Sequence, residues 1–181
     1  FSLASISADC RLYVSYPMTP TSAVLEILAA FQNSTDMVVK TAEDEIAVIA
    51  TALGASFAGV RTAVGTSGGG FALMVEHISY AGIAEIPLVI LLGQRPGPAT
   101  GMPTWTEQGD LLFAVHAGHG EFPKIVLAAG DLSEMAQLTV KAFDLADRYQ
   151  TPVIILSDKY LAESARSVPN SVFTALQATT P

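Results

Sequence analysis

With 181 residues, half of them apolar and only 14% charged, the chain is long enough for one well-buried core and cramped for two. Its net charge of -8 and its nine scattered basic residues argue against nucleic acid, and a single cysteine, Cys10, rules out a disulfide framework within the chain or an iron–sulfur cluster held by it alone. The longest clean apolar run, residues 87–92, falls far short of the ~20 residues that a membrane-spanning helix needs.

Residues 1–8 read as the apolar middle of a helix, so the chain is expected to be a fragment of a longer polypeptide. No basic region followed by an apolar stretch suggests a secretory signal, and a reducing, cytoplasmic setting is expected. Strand-like runs then follow at 12–16, 37–39, 61–65, 87–93, 124–128 and 153–157. Between them, residues 21–31, 43–58, 70–81, 109–117 and 132–149 carry apolar side chains at helical spacing. Strand and helix in alternation predict an α/β fold: an open, mostly parallel six-stranded sheet covered on both faces and linked by right-handed crossovers. Residues 1–164 form the expected domain, and 165–181 read as a truncated linker to a following one. High apolarity with few charges also predicts strands buried on both faces and surface that a partner covers.

In such sheets the loops after the strands hold the chemistry. After the first strand, Tyr16-Pro17-Met18-Thr19-Pro20 is stiffened by two prolines; Thr21 or Ser22 can cap the next helix, and the turn can present the Thr19 hydroxyl to a ligand. After the second, Thr41 and Asp44 fit a capping box. Glu45 differs, because Val48 and Ile49, with Ile46, Ala50 and Leu53, form the helix's apolar side and turn it partly inward. A carboxyl in apolar surroundings suits a strong hydrogen bond to a ring nitrogen, and capping remains the competing reading. The glycines of Thr66-Ser67-Gly68-Gly69-Gly70 fit a phosphate-cradling turn only weakly, since neither the dinucleotide fingerprint nor the P-loop is present. Arg95 opens the longest irregular stretch, with Thr100 and Thr104 beyond it; its guanidinium can grip a carboxylate bidentately or pair with Glu107 or Asp110. His116 and His119, with Glu121 nearby, are spaced for a metal, but the glycines around them read as a helix end and no metal site is assigned. His77 reads as a packing residue.

The motifs in order resemble the thiamine-diphosphate pyrimidine-binding domain of the 2-oxoacid:ferredoxin oxidoreductase family, in its α subunit. The resemblance rests on Tyr-Pro-Met-Thr-Pro at 16–20, Glu-Asp-Glu-Ile-Ala at 43–47, Ala-Leu-Gly-Ala-Ser-Phe-Ala-Gly at 52–59, Thr-Ser-Gly-Gly-Gly-Phe at 66–71, Gln-Arg-Pro-Gly-Pro-Ala-Thr-Gly-Met-Pro-Thr at 94–104 and Thr-Glu-Gln-Gly-Asp-Leu at 106–111. It implies the three-layer αβα thiamine-diphosphate fold. It also implies that Glu45 hydrogen-bonds the aminopyrimidine, that Pro17 and Thr19 lie over cofactor and substrate, that Arg95 binds the substrate carboxylate and that Thr104 reads the substrate side chain. The activity implied is coenzyme A-dependent oxidative decarboxylation of a 2-oxoacid, with electrons passing to iron–sulfur clusters in another subunit and on to ferredoxin. Trp105 stands where several 2-oxoglutarate-type members place a basic residue, which favours smaller or less polar acids.

The Gly-Asp-Gly…Asn motif that binds metal and diphosphate is missing, since both Gly-Asp pairs continue with Leu and the asparagines are Asn33 and Asn170. By the same resemblance, a β subunit supplies that half of the site together with Mg²⁺, and the chain alone is inactive. A homodimer of the fragment is a further expectation, and a non-catalytic dimerisation scaffold is the alternative reading.

Overall fold

β-Branched and leucine-rich runs become strands here because both of their faces are covered. The computed structural model describes residues 1–174 and 176, and its strands are β1 (Leu12–Ser15), β2 (Val38–Thr41), β3 (Thr62–Thr66), β4 (Leu88–Gln94), β5 (Ile125–Ala128) and β6 (Pro152–Asp158). They form one six-stranded sheet in the order β2-β1-β3-β4-β6-β5, with every pairing parallel. The six expected strands are therefore present, each within about two residues of its expected ends. All seven residues of β4 are buried, which is why that segment reads as a continuous apolar run rather than an alternating one.

The helices are α1 (Ser2–Ser7), α2 (Ser22–Phe31), α3 (Glu45–Phe57), α4 (Gly68–Ile83), α5 (Leu111–His116), α6 (Leu132–Tyr149), α7 (Lys159–Ala162) and α8 (Ser171–Thr174), with a 3₁₀ turn at Gln32–Ser34. From β1 the chain moves outward to β2, whereas from β3 it moves the other way to β4, so right-handed crossovers place α2 on one face and α3 and α4 on the other. Two cores record this. Val48, Ile49, Leu53, Phe71, Met74 and Ile78 pack on Val64, Ile90 and Leu92, while Leu28, Met135, Val140 and Phe143 pack on Tyr13, Val89 and Leu91. Successive residues of β4 thus feed opposite cores.

Charge also enters the second layer. Arg61, ahead of β3, donates to Ala8 O at 2.7 Å and pairs with Asp147 at 2.6 Å and Asp144 at 3.1 Å, tying α1, the sheet and α6 together. Cys10 is buried in the same layer, and burial pushes its thiol up to about 12. Within 165–181, Val172 and Phe173 of α8 pack against this core, and residue 175 and residues 177–181 of the expected linker lie outside the described residues. No helix among the described residues is long and apolar enough to cross a membrane.

Candidate active site

β1 and β3 are neighbours whose chains leave in opposite directions, and the crevice beyond their C-terminal ends is where an open α/β sheet binds ligands. The loops after β1, β2, β3 and β4 converge there, carrying Thr19, Glu45, Thr66–Ser67 and Arg95 in turn.

Glu45 is the first residue of α3 and only 3% exposed. The helix starts in this register because Asp44 is its N-cap: the extended Asp44 accepts the Ala47 N–H at 2.7 Å, a cap worth about 1 kcal/mol. The expected Thr41–Asp44 capping box is therefore corrected, since β2 runs through Thr41 and Asp44 caps alone. With the cap satisfied by its neighbour, Glu45 is not consumed in capping, and its Oε1 is buried with no hydrogen-bond partner. Val48, Ile49, Ala52 and Leu53 share its inward side, while Ile46 and Ala50, expected on that side, face outward.

Thr19 and Arg95 meet directly. Arg95 Nη1 donates to the Thr19 carbonyl oxygen at 2.7 Å across 76 residues of sequence. The contact takes one guanidinium nitrogen and leaves the Thr19 hydroxyl without a partner among the described residues. The ion pair of Arg95 with Glu107 or Asp110, one of its two sequence readings, is not formed. Burial lowers the Arg95 guanidinium pKa, and the charge of Glu45 opposes that shift in part. Pro17 is exposed at the crevice lip, and the Pro20 ring lies so close over β4 that a Cβ on Gly93 would come within 2.8 Å of it. Thr21 does not cap α2: its hydroxyl donates back to Met18 O at 2.8 Å and stiffens the turn instead.

Thr104 is exposed and stands apart from this group, beside a shallow depression it shares with Trp105, Lys159 and Tyr160. Trp105 is 67% exposed. His116 ends α5, the backbone N–H of His119 donates to Ser79 Oγ at 2.9 Å, and His77 Nδ1 lies 3.3 Å from Glu76. Among the described residues no three His, Cys, Asp or Glu side chains gather as metal donors.

The glycine run acquires a purpose that its spacing did not reveal. Helix α4 begins at Gly68, two residues earlier than expected, and each of its first three residues faces a different close neighbour. A Cβ on Gly68 would lie 2.9 Å from Asp110 Oδ1, one on Gly69 3.3 Å from the Ala99 carbonyl oxygen, and one on Gly70 2.5 Å from Glu45 Oε1 while colliding with Thr66 Oγ1. Because a carboxylate and a carbonyl crowd this helix end, the phosphate-cradle reading fails: both would repel an anion. Gly70→Ala is accordingly expected to cost about 1–3 kcal/mol by overpacking, read as a lowered melting temperature. Asp110, Gln94 and Ser67 are the site-adjacent residues that the sequence did not single out as functional. Burial, then repulsion from Glu107, raises the Asp110 pKa, and Gln94, buried at the end of β4, accepts the Asp110 N–H at 2.9 Å.

Comparison with known proteins bears on this crevice. Residues 3–173 match the family model described as pyruvate flavodoxin/ferredoxin oxidoreductase, thiamine diphosphate-binding. The chain is 45% identical over 180 residues to the 2-oxoacid:ferredoxin oxidoreductase 1 α subunit of Sulfurisphaera tokodaii, covering 93% of this chain and 29% of that protein. It is 43% identical over 164 residues to the 2-oxoglutarate synthase subunit KorA of Archaeoglobus fulgidus, covering 91% and 47% respectively. Among solved structures, the 2-oxoglutarate:ferredoxin oxidoreductase from Magnetococcus marinus, with 2-oxoglutarate, coenzyme A and succinyl-CoA bound, matches at a TM-score of 0.87 and 43% identity over 89% of this chain and 28% of that one. The chain thus spans less than half the length of these relatives, and over nearly all of its own length it belongs to the thiamine diphosphate-binding domain family of the pyruvate flavodoxin/ferredoxin oxidoreductases.

Proposed function

We propose that this chain is the pyrimidine-binding half of the active site of a 2-oxoacid:ferredoxin oxidoreductase, which decarboxylates a 2-oxoacid oxidatively and passes the acyl group to coenzyme A. One observation carries the reading: Glu45 Oε1 is buried and unpartnered at the start of α3, at the same end of the sheet as the Arg95–Thr19 contact. A buried carboxylate oxygen without a partner is rare unless a ligand completes it, and the nitrogen edge of an aminopyrimidine has the matching chemistry. When bound, thiamine diphosphate would supply the carbon nucleophile and electron sink that decarboxylation of a 2-oxoacid requires. The residues of this chain have three tasks around it. Glu45, buried at the start of α3, would hold the ring nitrogen through Oε1. Arg95 offers its remaining N–H donors to the substrate carboxylate. The Thr19 hydroxyl, left unused by the protein, would donate to substrate or cofactor, with the exposed Pro17 two residues before it, just after β1. Thr104 would help read the substrate side chain, and it lies with Trp105 on the exposed part of the 95–110 loop.

A β subunit carrying the diphosphate-binding half, Mg²⁺ and an iron–sulfur cluster would complete the site and pass electrons to ferredoxin. Uncovered apolar side chains support contact with a further chain in general: Leu112 of α5 is 72% exposed, and Phe57 and Ile83, at the ends of α3 and α4 away from the crevice, are 80% and 84% exposed. The same surface would let the fragment form a homodimer when isolated. A non-catalytic scaffold has no need for a buried unpaired carboxylate at Glu45, and the catalytic reading is preferred for that reason. Calorimetric titration of thiamine diphosphate with Mg²⁺ is expected to show binding only when the chain is mixed with the β subunit. Tight binding to the chain alone would reveal a diphosphate site on this chain, and no binding in either case would favour the scaffold.

A further inference from the structure

The 95–110 loop starts at Arg95 and ends at Asp110, and its two ends are joined by a single hydrogen bond, from the Asp110 N–H to the side chain of Gln94 at 2.9 Å. Whatever fixes Asp110 therefore acts one residue away from Arg95. The Asp110 carboxylate lies against the opening turn of α4, 2.9 and 3.0 Å from where a Cβ on Gly68 would sit, an approach that any other residue at position 68 would block. Ser67, the N-cap of α4, makes no side-chain capping bond, and Asp110 Oδ2 is buried without a hydrogen-bond partner, so the carboxylate is held against the opening turn of α4 by packing on Gly68. The middle of the loop is set the same way. Ala99 adopts a left-handed backbone, φ 55°, which turns its carbonyl toward Gly69. Near the loop's end, Gln108 Nε2 donates to Asp158 Oδ2 at 2.6 Å.

We propose that Asp110 is a positioning residue for substrate binding: its carboxylate, laid against Gly68, anchors the end of the 95–110 loop and thereby holds the Arg95 guanidinium beside Thr19. The proposal rests on the reading of Arg95 as the group that binds the substrate carboxylate. It differs from a general structural role because the chain of contacts runs from Gly68 through Asp110 and Gln94 to Arg95 and does not pass through Glu45.

The test compares Asp110→Ala, Gly68→Ala, the double variant and Asp110→Asn in the enzyme reconstituted with its β subunit, by hydrogen exchange over residues 96–106 and by steady-state kinetics. Both single alanine variants should speed amide exchange in the loop and raise KM for the 2-oxoacid about tenfold, with kcat and thiamine diphosphate affinity near wild type. The double variant should be no worse than Asp110→Ala, because a Cβ on residue 68 collides only with a carboxylate that has gone. Asp110→Asn, which keeps the shape, should restore KM. Unchanged loop exchange in Asp110→Ala would overturn the anchor. Faster exchange at unchanged KM, or strictly additive single effects, would overturn its link to Arg95. A wild-type enzyme that turns over no 2-oxoacid would sink the reading of the site instead, and the exchange measurements would still decide the anchor.

Discussion

Glu45→Gln in the reconstituted enzyme is expected to lower turnover by roughly 10²–10⁴-fold, the range that loss of a positioned proton-exchanging group produces. Glutamine is the informative change because it fills the same space. The buried side chain lies close against Gly70, so a smaller residue would add a cavity and blur the result. The amide keeps the shape but cannot exchange a proton at Oε1. Since the carboxylate oxygen has no partner in the folded chain, its replacement by a neutral amide should leave the melting temperature no lower. Glu45→Ala should also abolish decarboxylation, with some loss of stability. Turnover of the glutamine variant within about threefold of wild type would remove Glu45 from its role.

Replacing Arg95 should act on the substrate instead of the cofactor. Lysine retains the charge but loses the planar fork, and one guanidinium nitrogen is already committed to the Thr19 carbonyl at 2.7 Å. An ammonium can satisfy that carbonyl or a substrate carboxylate in good geometry, but not both. A lost charge-assisted hydrogen bond is worth about 1.5–3 kcal/mol, so KM for the 2-oxoacid should rise roughly 10–100-fold in Arg95→Lys and further in Arg95→Ala. Affinity for thiamine diphosphate should be unaffected. A variant with unchanged KM and depressed kcat would place Arg95 on the chemical step rather than on substrate recognition.

How much of this could be read from sequence depended on how far apart the interacting residues lie. Strand runs such as 87–93 were legible because burial on both faces leaves an unbroken apolar signature, and Glu45 stood out because Val48 and Ile49 follow it on the same side. The exact face of α3 was less so: Ile46 and Ala50 fit the spacing yet point outward, since the register is set by the Asp44 cap rather than by the apolar count. The glycine run at 68–70 could not be interpreted locally, because its neighbours come from residues 45, 66, 99 and 110. The sequence leaves Arg95 a choice between a ligand and an acidic side chain, whereas its protein partner is a main-chain oxygen, which no residue type announces.

The 76-residue span of the Arg95–Thr19 bond also bears on how the site comes into being. That contact requires β1, β3 and β4 to be paired in register first, so it can close only after most of the chain's loop-closure entropy has been lost. The crevice should therefore be among the last features to form during folding and among the first to disappear on partial unfolding. A substitution far from the crevice that loosens the β3–β4 pairing would register as weakened substrate binding before it registered as a lost fold.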